Sequence, residues 1–164
     1  MRLPHYWLYI FLLATAALFF FYKANQSSLS YDFAPAFDGN DYRQIYEYFT
    51  GQQEAYRVPF PFNQRILVPW LASIIGTDII SSFQWLNLAF SLLAILVLFR
   101  LWRMLGLELW AFLVGFGWLL FHWTGMIRLN AFDPITVDLP LYAFQGLFLL
   151  TILKRKFAWL LLLG

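Results

Sequence analysis

The stretch FQWLNLAFSLLAILVLF, residues 83–99, carries no charge and is closed by Arg100 and Arg103. At a helical rise of ~1.5 Å per residue it is about 26 Å long, close to the ~30 Å hydrocarbon core of a bilayer. We read it as a membrane-crossing helix. Three comparable runs flank it. Residues 6–22, YWLYIFLLATAALFFFY, form the first and stop at Lys23. Residues 109–123, within a span set at 107–124, form the third, and residues 135–153 form the fourth, ending at Lys154, Arg155 and Lys156. Another apolar run starts at Phe157 and continues to Gly164. The expected fold is all-α: a polytopic transmembrane helix bundle, one membrane domain over residues 1–164, with an outer loop 23–82 carrying short interfacial helices.

Composition points the same way. Hydrophobic residues make up 62% of the chain and charged residues 12%, about half the charged fraction of an ordinary soluble domain. The 19 Phe, 9 Tyr and 8 Trp exceed what one small core absorbs, whereas lipid-facing Phe and headgroup-level Trp and Tyr accommodate them. A net charge of +2 and a pI near 9.0 come from basic residues that end apolar runs, not from a patch that would track nucleic acid. There is no Cys, hence no disulfide framework. Residues 6–22 exceed a usual signal core and end without a small-x-small cleavage pattern, so they are expected to remain as an anchor.

Orientation follows from the loops. Arg2, Arg100 with Arg103, and Lys154 to Lys156 fall on one side, which the positive-inside rule makes cytoplasmic. The loop 23–82 and the connection 125–134 are then outside. In that loop Asp41 is expected to cap a helix, with Gln44 at the third position and Gly51 at the end. Tyr42, Ile45, Tyr46 and Phe49 would share one face and Arg43 would pair with Glu47 on the other, an amphipathic helix suited to lie along headgroups. Residues 66–76 contain Pro69 and are too short to span; they are expected to be interfacial or re-entrant.

Three segments can carry chemistry. In Phe37-Asp38-Gly39-Asn40-Asp41-Tyr42 the two carboxylates suit ordinary turn and cap roles, or one of them suits a general base or metal ligand at the membrane surface. Arg65, at the start of an apolar segment, either snorkels to headgroups or holds a lipid phosphate by bidentate contacts; Arg57 and Arg128 lie on the same side. Asp133 before Pro134 fits a helix N-cap with proline in the first turn, which would place Asp138 more than a turn inside an apolar helix. A carboxylate there needs a partner, a proton or a wet cavity, and Arg128 is the nearest basic residue. His122, next to Trp123 and Thr124, fits an interfacial hydrogen-bonding residue; no paired-His motif or Gly-rich phosphate loop accompanies it. Asn25-Gln26-Ser27 matches a glycosylation acceptor directly after a span.

These residues resemble a known family, the C-type, polyprenyl-phosphate-sugar-dependent membrane glycosyltransferases and their uncharacterised bacterial relatives. Phe37-Asp38-Gly39-Asn40-Asp41-Tyr42 looks like their acidic motif, Pro61-Phe62-Asn63-Gln64-Arg65-Ile66-Leu67-Val68-Pro69 like a recurrent signature of the relatives, and Phe132-Asp133-Pro134 like a later Asp-Pro at a helix start. Family members carry many more spans, so the resemblance implies an N-terminal fragment. It further implies an inner-membrane protein with a cytoplasmic N-terminus, in contact with membrane lipids and a polyprenyl-phosphate sugar donor. Asp38 or Asp41 would be the catalytic base. Arg65, Arg128 and Asp138 would bind substrate. Some such enzymes use a divalent metal and others do not, and the sequence names no ligand set for one. A small-solute or ion transporter using Asp138, His122 and Arg128, and a non-catalytic subunit or truncated product, are the competing readings.

Overall fold

The computed structural model describes residues 4–33 and 37–156. Arg2, Pro35 and the apolar run 157–164 lie outside them. Every regular element among the described residues is helical: α1 (Tyr6–Asn25), α2 (Gly39–Phe49), α3 (Leu67–Ile75), α4 (Ile79–Leu105), α5 (Leu109–Phe121), α6 (Arg128–Phe132) and α7 (Leu139–Leu153), with short 3-10 turns at Tyr31–Phe33 and Phe62–Gln64.

Two helices, α1 and α4, are long and apolar enough to cross a membrane. The longer one, α4, extends past both ends of the apolar run 83–99. Asp78 caps its start by accepting the Ser81 backbone N–H at 3.0 Å, and Gly106 stops it in the left-handed conformation, φ 68°. Its 27 residues reach about 40 Å. Apolar side chains cover the outside of the fold, among them Leu13 at 70% exposure, Val114 at 67% and Trp110 at 65%. Water penalises so large an apolar surface, whereas lipid does not.

The third and fourth runs are shorter than expected. Helix α5 ends at Phe121 in a local turn, and α7 starts only at Leu139; the chain just before α7 is held by distant partners. Asp133 does not cap a helix start; its N–H bonds to Leu129 O at 2.8 Å and terminates α6. The Ile135 N–H donates to the Tyr31 hydroxyl at 2.8 Å, and Pro134 O accepts from Asn87 Nδ2 at 2.8 Å. Each of those backbone groups would otherwise have needed helix or water. Helix α7 instead takes Pro140 into its first turn, where the missing N–H costs nothing.

The bundle core is built mainly from α1, α4, α5 and α7, with Phe11, Phe99, Phe112, Phe116, Leu120, Leu139 and Ala143 buried. Helices α4 and α7 make the most extensive pair. Gly146 permits it: a Cβ there would lie 2.6 Å from Val97 Cγ1. A second core joins α2 and α3 to the start of α4 and to residues 135–137, through Tyr42, Ile45, Tyr46, Val68, Ala72, Phe83 and Ile135. The expected headgroup-facing side of α2 is therefore mostly covered by protein. Tyr42, Ile45 and Tyr46 are 0–3% exposed, and only Phe49, at 36%, faces outward. The Arg43–Glu47 pair forms as expected, at 2.8 Å. Gly76 ends α3 in the left-handed conformation, φ 73°, which a residue without a side chain adopts at no steric cost.

Candidate functional site

Helix α2 begins three residues earlier than a cap at Asp41 would require. Asp38 is the residue before the helix, and Asp41 sits in its first turn. Asp38 makes no side-chain cap hydrogen bond, so its carboxylate remains free of the turn chemistry that its Asp-Gly context suggested. Asp138 is likewise not inside a helix. It directly precedes α7, is exposed, and also makes no side-chain cap bond. Two loops about a hundred residues apart thus present unconsumed carboxylates.

Those carboxylates meet. A pocket of about 250 Å³ is lined by Phe37, Asp38, Tyr42, Asp133, Ile135, Thr136 and Asp138. Asp138 also borders a cleft of about 230 Å³ whose other walls include Arg65, Leu67, Val68, Pro140, Leu141 and Phe144. Leu141 and Phe144 in turn open a groove of about 450 Å³ running along α7 past Gln145, Phe148 and Leu149. The three cavities adjoin at shared walls: Asp138 lines both the acidic pocket and the cleft with Arg65, and Leu141 and Phe144 line both that cleft and the apolar groove.

Tyr31 anchors the pocket floor. Its hydroxyl donates to Asp133 Oδ1 at 2.5 Å while accepting the Ile135 N–H. Gly39 is needed for that arrangement: a Cβ there would strike the Tyr31 ring and lie 3.1 Å from Ile135 O. Burial, then the bond to Asp133, pushes the Tyr31 hydroxyl well above the ordinary tyrosine range. Burial also raises Asp133; the Tyr31 bond opposes this, and the charges of Asp38 and Asp138 add to it. Asp41 is raised by burial and then by Asp38, but it lines none of the three cavities.

Arg65 stands where the pocket gives way to the cleft. Its Nη1 donates to the Tyr42 hydroxyl at 3.0 Å, and this bond raises the guanidinium pKa further; burial opposes, while Asp138 and Asp38 add to the rise. Burial raises the Tyr42 pKa, and the Arg65 bond offsets part of that. Arg65 is thus a fixed cation aligned by Tyr42, with remaining donors free for an anion.

The other predicted residues lie elsewhere. Arg128 does not pair with Asp138: its guanidinium carbon lies 4.9 Å from the Trp123 ring centroid, and the ion pairs among the described residues are both made by Arg43. Arg57 lines a separate cavity with Tyr56, Val58, Pro59 and Asn63. His122 follows α5, stacks on Trp118 at 3.7 Å and meets the Thr124 hydroxyl at 2.9 Å, the hydrogen-bonding role its context suggested. Asn25 Nδ2 donates to Phe21 O at 2.8 Å inside the last turn of α1. Among the described residues no three His, Cys, Asp or Glu side chains are grouped closely enough to hold a metal ion.

Sequence reasoning missed Tyr31 and Thr136 and assigned Asp133 only a capping role. Tyr31 bonds to a residue 102 positions away, and no local pattern signals that. Comparison with family models, curated proteins and solved structures finds no match for this chain.

Proposed function

We propose that this chain is part of a polytopic membrane glycosyltransferase that transfers a sugar from a lipid-phosphate donor to an acceptor hydroxyl at the outer face of the membrane. In this reading α1, α4, α5 and α7 cross the bilayer, and the pocket lies at headgroup depth. One observation carries the proposal: Asp38 and Asp138 line an acidic pocket, and Asp138 with Arg65 lines the largely apolar cleft beside it. An amphiphilic donor needs that juxtaposition, with its chain along α7, its phosphate at Arg65 and its sugar toward the carboxylates.

The acceptor oxygen attacks the anomeric carbon as the bond from that carbon to the phosphate oxygen breaks. The electron pair leaves with the lipid phosphate, where Arg65 neutralises the growing charge. Asp38 takes the acceptor proton, and Asp138 orients the hydroxyls of the sugar. A positioned base contributes about 10²–10⁴-fold, so Asp38→Asn is expected to lower transfer by that factor.

The test is transfer of radiolabelled sugar from polyprenyl-phosphate donors in membranes expressing the full reading frame that contains this chain. Asp38→Asn, Asp138→Asn and Arg65→Ala should lose transfer while accumulating normally, and Asp41→Asn should retain most of it. Wild-type membranes that transfer from no such donor, or an Asp38→Asn protein that transfers at the wild-type rate, would sink the proposal. The transporter reading takes Asp138, His122 and Arg128 as an intramembrane polar pathway; Arg128 lying over Trp123 instead of pairing with Asp138 makes it the second choice.

A further inference from the structure

The end of the bundle away from the acidic pocket carries a second cluster, and the proposed transfer reaction does not use it. His5 precedes α1, Arg100 and Arg103 lie in the last turns of α4, and Lys154 follows α7. These four, with Met104 and Gly106, line a cavity of about 680 Å³. Among the described residues no carboxylate lines it. The ion pairs among the described residues both belong to Arg43, and the nearby Glu108 accepts from Trp110 Nε1 at 2.6 Å.

The positive-inside rule by itself requires basic residues in a loop, not convergence on one cavity. Here the convergence is built into the fold. Arg100 and Arg103 are three apart on one helix face. The close α4–α7 packing, with Val97 against Gly146, fixes Lys154 relative to them. Arg103 is already oriented: its Nη1 lies 2.8 and 2.7 Å from the two ring nitrogens of His5, and its guanidinium carbon is 5.9 Å from the Phe99 centroid. Three cations held together without a counter-charge repel one another, and an anion between them relieves that repulsion. Apolar side chains are exposed on the same helix ends: Met104, which lines the cavity, and Leu105 on α4, and Ile152 and Leu153 on α7.

We propose that this cavity binds the phosphate-bearing headgroup of an anionic phospholipid from the cytoplasmic leaflet, with Arg100, Arg103 and Lys154 on the phosphate and the acyl chains along the exposed ends of α4 and α7. Basic pockets between membrane helices bind such headgroups, and about 680 Å³ admits a headgroup larger than a lone phosphate. The inference rests on the membrane placement of the bundle and not on the transfer reaction at the other end.

The full chain, purified in a neutral detergent, is titrated with short-chain phosphatidylglycerol, short-chain phosphatidylcholine and free glycerol phosphate, and thermal midpoint and lipid retention in native mass spectra are recorded. Phosphatidylglycerol should raise the midpoint and remain bound, while the other two should do neither. The paired change Arg100→Gln with Lys154→Gln should weaken phosphatidylglycerol binding at least tenfold; both side chains are exposed, so folding should survive. Arg155→Gln with Lys156→Gln removes the same charge outside the cavity and should leave binding unchanged, as should Asp138→Asn at the opposite end. Equal binding of the two lipids, equal losses in the two paired variants, or binding of glycerol phosphate as strong as that of the lipid would overturn the proposal.

Discussion

Replacing Tyr31 with Phe removes one oxygen that carries two hydrogen bonds in a buried setting. The ring is 6% exposed and Ile135 is 1% exposed, so water cannot easily replace what is lost. The Ile135 N–H loses its acceptor at 2.8 Å, which costs about 1–3 kcal/mol for an unsatisfied buried donor. Asp133 loses its donor at 2.5 Å, and a bond to a charged group contributes about 1.5–3 kcal/mol. The two losses share one side chain and do not simply add, so about 2–4 kcal/mol is expected. For a chain of this size that is a fall in Tm of roughly 5–15 °C. Thermal unfolding in detergent, at acid and at neutral pH, reads it. The Tyr31 bond lowers the pKa of Asp133, so its loss should hurt more on the alkaline side of the carboxylate's titration than on the acid side. Asp133→Asn keeps an acceptor for the hydroxyl and removes the charge, so Tyr31→Phe should cost less in that background. A Tm within about 2 °C of wild type, or full additivity of the two changes, would refute the account of this clamp.

Gly146→Ala brings a methyl to within 2.6 Å of Val97 Cγ1 and should destabilise by about 1–2 kcal/mol once overpacking is set against the gain in helix propensity. In a Val97→Ala background the same change should stabilise by up to about 1 kcal/mol, a reversal of sign that a double-mutant thermal cycle reads. Burial raises both Asp133 and Asp41, so the stability linked to them is fully present below the ordinary carboxylate range and is lost as pH rises through their raised values. Asp133→Asn should flatten that part of the Tm-against-pH curve, and an unchanged slope would contradict the assignment. Arg43→Ala removes pairs whose side chains are 42% exposed against 80% for Asp32 and 19% for Glu47; it should cost no more than about 1 kcal/mol, and a larger loss would mean that Arg43 does more than form a surface pair.

Apolar runs, their charged ends and their lengths were legible along the chain, since each depends on neighbours a few residues apart. They located α1, α3, α4, α5 and α7, and the Gly51 and Gly76 ends of α2 and α3. The errors share one cause. Asp133-Pro134 has the local form of a helix start, yet Tyr31 and Asn87, from distant parts of the chain, satisfy the backbone of residues 134 and 135 and postpone α7 to Leu139. The amphipathic face of α2 was visible in the sequence. Its cover was not, because a helix pattern states that a face must be buried and leaves open whether lipid or protein buries it.

The same division holds for the candidate site. Residue types and spacing singled out Asp38, Asp41, Arg65, Arg128 and Asp138 one at a time, because a carboxylate or guanidinium beside an apolar segment stands out locally. Only the tertiary structure separated them. It brings Asp38, Asp138 and Arg65 to two adjoining cavities that share Asp138, adds Tyr31, Tyr42 and Asp133, leaves Asp41 outside the cavities and turns Arg128 onto Trp123. Convergence across a hundred residues is set by how helices pack and where loops are tied, and local patterns do not encode those quantities.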